Sequence, residues 1–165
     1  MEKHGTTGEA EVSTERLVYF SDAVIAIAVT LLVLDIKVPK ADSADQLLHA
    51  LGAQWTNYIS FFISFSVISV TWTNHHRMFT FINRADHNLI VLNTLLLMCV
   101  VLIPFSTALL SEYLNKQGSY IGAAVYGGTL TVGGIFFNWL WYYATKNGRL
   151  LKPNADRAEV RVLLK

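Results

Sequence analysis

Three stretches of this chain contain no Asp, Glu, Lys or Arg: Gln46 to His76, His87 to Ser111, and Gln117 to Thr145. Each holds the roughly 20 mostly apolar residues that a helix needs to cross a bilayer. Leu17 to Ile36 forms a fourth such segment, interrupted by Asp22 and Asp35. A water-soluble domain of 165 residues could surround at most one helix that is apolar on every side. Charged residues make up only 15% of the chain, against about 25% in soluble domains. The pattern therefore predicts an all-α integral membrane protein, a bundle of about four transmembrane helices.

The organisation follows from where polarity returns. Residues 1–13 are polar and rich in Gly, Thr and Glu, and read as a mobile tail. A transmembrane domain over 14–145 is expected to carry helices at about 14–36, 55–79, 88–110 and 120–144. Ser13 or Thr14 is suited to cap the first helix, and Pro39 to end it. Lys37 to Asp45 forms an exterior loop, followed by a short amphipathic lead-in with Leu47, Leu48 and Leu51. Pro104 is expected to kink the third long helix. The fourth ends in Trp139, Trp141, Tyr142 and Tyr143, aromatic residues that favour the membrane–water interface. Residues 146–165 form a basic segment.

Lys and Arg fix an expected orientation. Ten of them (Lys3, Arg16, Arg77, Arg84, Lys146, Arg149, Lys152, Arg157, Arg161 and Lys165) fall on one side of the predicted membrane. Lys37, Lys40 and Lys116 fall on the other. Because cytoplasmic loops collect Lys and Arg, both termini are placed in the cytoplasm. The N-terminal residues mix Glu2, Glu9, Glu11 and Glu15 with the basic ones, unlike a cleavable secretory signal.

Several function classes drop out. The net charge of +1 gives no reason to expect a nucleic-acid partner. Phosphate-binding loops, HExxH and GxSxG are absent, so the chain is not read as an enzyme. His75 and His76 are adjacent and point about 100° apart on a helix, so they cannot chelate one ion together. No metal site and no cofactor are predicted. Thr131-Val-Gly-Gly134 resembles a carbonyl-lined filter only superficially, because it lies inside an apolar helix. Small residues four apart, Gly118 with Gly122 and Ala124 with Gly128, let helices approach closely. Packing within the protomer is the simpler reading, and self-association is the other.

Asp22 is the most informative single position. It lies about two turns into the first helix, where an ionised side chain needs a partner or water. The end of the second helix, Asn74-His75-His76-Arg77, returns to a similar depth, and Asn88 and Asn93 begin the third. A buried ion-pair and hydrogen-bond clamp is the simpler reading, with Asp22 paired to Arg77. A proton relay through Asp22 and His75 is the alternative. On the first helix Phe20, Val24, Ile27, Leu31 and Leu34 make one stripe, with Thr30 beside it. Such a stripe packs a bundle, or lines a pore and closes it by excluding water. Spacing leaves both open.

The run Arg16-Leu-Val-Tyr-Phe20-Ser21-Asp22, continued by Ala23 to Ile36, resembles the RxxxFSD helix of the transmembrane protein 175 family of potassium-permeable channels. Trp72-Thr-Asn-His75-His76-Arg77-Met-Phe79 is similar to that family's W-x-x-H-x-R-x-F stretch, and the likeness covers about residues 14–150. It implies a homotetramer whose pore is lined by the first helix of each subunit. The hydrophobic constriction would then fall on Ile27, Leu31 and Leu34, and a selectivity-linked threonine on Thr30. A structural polar network would involve Arg16, Phe20, Ser21, Asp22, His75, His76, Arg77 and Asn93. Prokaryotic members resemble six-helix subunits, so the basic segment after residue 145 is expected to lead to a further helix pair or to mark a member without one.

The resulting expectation is a potassium-selective or potassium-leak channel, multi-pass in the plasma membrane, with potassium ions, the lipid bilayer and its own copies as partners. A proton-coupled carrier or proton leak using Asp22 and His75, and a non-conducting scaffold, are the rival readings.

Overall fold

The computed structural model describes residues 13–148 and 150–153. The expected mobile tail falls almost wholly outside them, as does the basic stretch Arg157 to Lys165. Five helices follow one another: α1 (Thr14–Leu31), α2 (Ala44–Ala53), α3 (Trp55–Phe81), α4 (His87–Tyr113) and α5 (Ser119–Thr145). Single 3-10 turns extend α1 through Leu32–Asp35 and α5 through Lys146–Gly148. Among the described residues no strand forms, only an isolated bridge between Ile82 and Leu151.

Ser13 caps α1, its hydroxyl accepting from the Arg16 amide at 3.4 Å. The other end of α1 stops before Pro39 is reached. Ile36 turns extended, and the Lys37 peptide is held in both directions by one side chain. Its N–H donates to Gln54 Oε1 at 2.9 Å, and its carbonyl accepts from Gln54 Nε2 at 2.8 Å. Asn57 Nδ2 donates to the Asp35 carbonyl at 2.7 Å. Asn57 thus satisfies a carbonyl that the end of a helix leaves free, and Gln54 holds the extended peptide that follows. Asp35 stands four residues before Pro39, which has no N–H to donate back to it.

Three helical segments, Thr14–Asp35, His87–Tyr113 and Ser119–Thr145, are long and apolar enough to cross a membrane. The expected fourth is α3, equally long but diluted by Ser and Thr. Several of those hydroxyls turn back on their own helix, Ser66 to the Phe62 carbonyl and Thr71 to the Val67 carbonyl. α3 packs against α1. It runs antiparallel along α1 from the Lys37–Gln54 contact to the far end, where Thr14 Oγ1 donates to the Asn83 carbonyl at 3.2 Å.

α4 is the centre of the bundle and packs against α1, α3 and α5. Its buried residues Leu89, Leu92, Leu96, Val100 and Ile103 recur at three- and four-residue spacing, so one face meets the neighbours. Against α5 the approach is close at Gly122: a Cβ there would lie 3.2 Å from the Leu109 carbonyl oxygen. Gly127, Gly128 and Gly134 face open space instead. Packing within the protomer thus accounts for only part of the glycine content of α5.

The start of α1, the α3–α4 loop and the residues after α5 lie at one end. Asn83 N–H donates to the Leu150 carbonyl at 2.7 Å, and Lys152 N–H to the Phe81 carbonyl at 2.9 Å.

Candidate functional site: the two faces of the first helix

α1 has a buried face and a bare one. Leu17, Ser21, Ile25, Ala28 and Leu32 are buried against α3 and α4. On the bare face Ile27 is 59% exposed, Leu31 41% and Leu34 60%. Phe20 and Thr30 are exposed on the same side, and the Thr30 hydroxyl donates to the Ile27 carbonyl at 2.8 Å. Val24, by contrast, leans on the core. Seen along the helix, the Ile27–Leu31–Leu34 ridge occupies successive turns, with Thr30 set about 60° to one side. Within one subunit nothing covers this ridge.

The buried face carries a polar chain across three helices. The His75 ring on α3 is fully buried, and its Nε2 lies 2.8 Å from Asn93 Oδ1 on α4. Asn93 Nδ2 donates to Ser21 Oγ on α1 at 2.9 Å, and Ser21 donates on to the Leu17 carbonyl at 2.8 Å. The directions are linked: because Ser21 gives its proton to Leu17, Asn93 must present its amide nitrogen there and its oxygen to His75. His75 therefore carries its proton on Nε2, and its Nδ1 has no hydrogen-bond partner. Phe79 lies against the ring, 4.5 Å between centres.

Asp22 belongs to a separate contact. Trp72 Nε1 on α3 donates to Asp22 Oδ1 at 2.9 Å. The expected pairing of Asp22 with Arg77 does not form: Arg77 is exposed and makes no ion pair among the described residues. The reason is rotation, since Arg77 stands two residues beyond His75 and so about 200° around the helix. His76 is also exposed, with its ring 5.7 Å from that of Trp72. Arg16 and Phe20 lie on the bare side of α1. Of the eight residues expected in one network, Ser21, His75 and Asn93 join in one chain and Asp22 in another. Arg16, Phe20, His76 and Arg77 bond into neither.

Trp72 had been legible only as part of a motif. Its role follows from depth: Asp22 lies eight residues in from the start of α1, and Trp72 nine back from the end of α3. Gln54 and Asn57 had no comparable signal.

No group of three or more His, Cys, Asp or Glu side chains gathers into a metal-binding cluster among the described residues.

Residues 16–104, more than half of the chain and all of the α1, α3 and early α4 region just described, match the family model for the endosomal/lysosomal potassium channel TMEM175. The chain belongs to the TMEM175 family. This is a family of ion channels, and the TMEM175 likeness extends well beyond the matched segment. A potassium channel of Streptomyces collinus is 46% identical over 147 residues, covering 88% of this chain and 71% of that protein. The crystal structure of a lysosomal potassium-selective TMEM175 homologue from Chamaesiphon minutus superposes with a TM-score of 0.81 at 42% identity, covering 92% of this chain and 77% of the other. The endosomal/lysosomal proton channel TMEM175 of Gallus gallus is 36% identical over 120 residues, 68% of this chain but 24% of that protein.

Proposed function

We propose that this chain is a potassium channel in which α1 of each subunit lines the pore, the subunits assembling as a homotetramer in the plasma membrane with both termini cytoplasmic. The observation that carries the reading is the bare apolar ridge of Ile27, Leu31 and Leu34 on a helix whose other face is fully packed. Copies of that ridge around an axis would cover one another. Rings of branched apolar side chains exclude water from a narrow passage and so close it without a charged gate. Thr30 would add a ring of hydroxyls between those levels, the polar atoms available there to a dehydrating cation. The names of the Streptomyces and Chamaesiphon relatives support potassium as the ion.

The buried chain of Ser21, Asn93 and His75 fits a clamp better than a proton relay. Its histidine is enclosed, and its free nitrogen meets no donor or acceptor that would pass a proton on.

One assay separates the readings. Purified protein is placed in potassium-loaded liposomes, which are diluted into sodium buffer with a pH-sensitive dye outside. A potassium channel gives proton uptake only after a protonophore is added. Uptake before the protonophore indicates exchange of potassium for protons. Where neither condition gives uptake, uptake on adding valinomycin without protonophore indicates a proton leak, and its absence indicates a scaffold.

A further inference from the structure

α3 and α5 lean on α4 and touch each other at two levels. Near one end Ser64 Oγ on α3 lies 3.0 Å from Tyr126 Oη on α5 and 2.7 Å from Thr107 Oγ1 on α4. Near the other, Phe81 and Trp141 meet edge to face with ring centres 6.4 Å apart. Between these contacts the two helices stand apart and leave a cavity of about 190 Å³, open on its outer side. Thr71 and Asn74 line it from α3, Leu96 and Cys99 from α4, and Gly134 and Phe137 from α5.

Its chemistry is narrow. Thr71 has spent its hydroxyl on the Val67 carbonyl. Asn74 is exposed, and its amide makes no hydrogen bond among the described residues, so it is free to bond an occupant of the cavity. The rest of the lining is apolar apart from Thr129, which donates back to Val125, and the Cys99 thiol. Shape decides between occupants. The lining runs from Val67 to Asn74 along α3, about 10 Å at 1.5 Å per residue. A docked helix would need the cleft to continue past both closing contacts, and those contacts block it. Water has little to hold it in such a site, whereas an apolar cavity of ~150 Å³ is known to stay dry and to admit benzene.

We propose that this window binds a small uncharged amphiphile from the bilayer, such as an aryl alcohol. Its hydroxyl bonds the Asn74 amide, and its ring fills the space against Cys99 and Gly134. The site is separate from the bare ridge of α1.

Cys99, the one cysteine of the chain, reports on the window directly. Full-length protein in liposomes is treated with N-ethylmaleimide, and the mass shift is followed with and without benzyl alcohol or toluene. Cys99 is buried, so it is expected to alkylate slowly and only through the window, and several-fold more slowly still, saturably so, with benzyl alcohol, with toluene less effective. Gly134→Leu puts a side chain into the window where a Cβ meets nothing within 4 Å. It should slow alkylation by itself and abolish the benzyl alcohol effect. Gly128→Leu is equally open but does not line the window, and should behave as the wild type. Asn74→Leu should make benzyl alcohol and toluene equivalent. An unreactive Cys99, or slowing of the same size in wild type and Gly134→Leu, overturns the site. A preference for the alcohol that survives Asn74→Leu overturns the role of the amide. Because the readout is alkylation, either failure leaves the channel reading untouched.

Discussion

Trp72 on α3 reaches across to α1 and donates its indole N–H to the Asp22 carboxylate at 2.9 Å, giving an acid placed inside a membrane helix its one side-chain hydrogen bond among the described residues. Removing either side of that bond should cost about the same as removing both. In a thermal-unfolding cycle in detergent, Asp22→Ala and Trp72→Phe are expected to couple by about 1 kcal/mol, within the range of hydrogen bonds measured in membranes. Asp22→Ala and Arg77→Ala should add independently. Coupling with Arg77 and none with Trp72 would restore the ion-pair reading.

Asn93 links two buried groups at once, so its loss should exceed that of either neighbour. Asn93→Ala strands His75 Nε2 and leaves Ser21 without its donor, at about 1–3 kcal/mol for each unsatisfied polar group. Ser21→Ala strands only one Asn93 N–H. The expected order of melting-temperature loss is Asn93→Ala first and Ser21→Ala second, with His75→Phe tolerated best when combined with Asn93→Leu. The reverse order for the two alanine variants would mean that the chain is not the clamp it is taken for.

The bare ridge of α1 makes the pore assignment testable by direction. Ile27→Asn should wet the constriction and raise potassium flux several-fold in liposomes, and Thr30→Ala should lower the preference for potassium over sodium more than it changes total flux. Val33 is the control: it is also exposed, but lies about 120° around the helix from Ile27. Val33→Asn should leave both quantities near wild type. Equal effects at positions 27 and 33 would sink the assignment.

The imbalance of Lys and Arg predicts which end faces the cytoplasm. In a Cys99→Ala background, Lys40→Cys should react with an impermeant maleimide on intact cells, and Lys152→Cys only after the membrane is opened. Both positions are exposed in the fold, so accessibility does not confuse the result. Labelling of position 152 alone would invert the orientation.

The long helices were legible because runs without charge leave a chain few alternatives in a membrane. Their starts were legible too: Ser13 caps α1 as its side chain suggests, and α3 begins at Trp55. The end of α1 falls within a residue of the expected Ile36; what was not legible is the bonding there, because Gln54 and Asn57 reach Lys37 and Asp35 from the start of α3, which no local pattern encodes. The polar cluster was legible by depth and illegible by rotation. Asp22, His75, Arg77 and Asn93 do fall near one level, but a helix turns 100° per residue, and that alone sends Arg77 outward while His75 points in. Charge invited the Asp22–Arg77 pairing, and geometry gave the bond to a tryptophan.

The bonding of Leu150 and Lys152 to the end of α3 and the loop after it has a practical side. The last residue of α3 and the loop after it give their peptide groups to two other parts of the chain, Asn83 accepting from Thr14 and donating to Leu150, while Phe81 accepts from Lys152. The loop works as a buckle whose length is fixed by what it fastens, and a residue inserted there would unhook the first turn of α1 and the tail of α5 together. The loop after α1 fastens little beyond Lys37, and Val38 is 92% exposed. For anyone who wants to attach a fluorophore, an epitope or a cleavage site to this protein, Val38 to Ala41 is the stretch with slack.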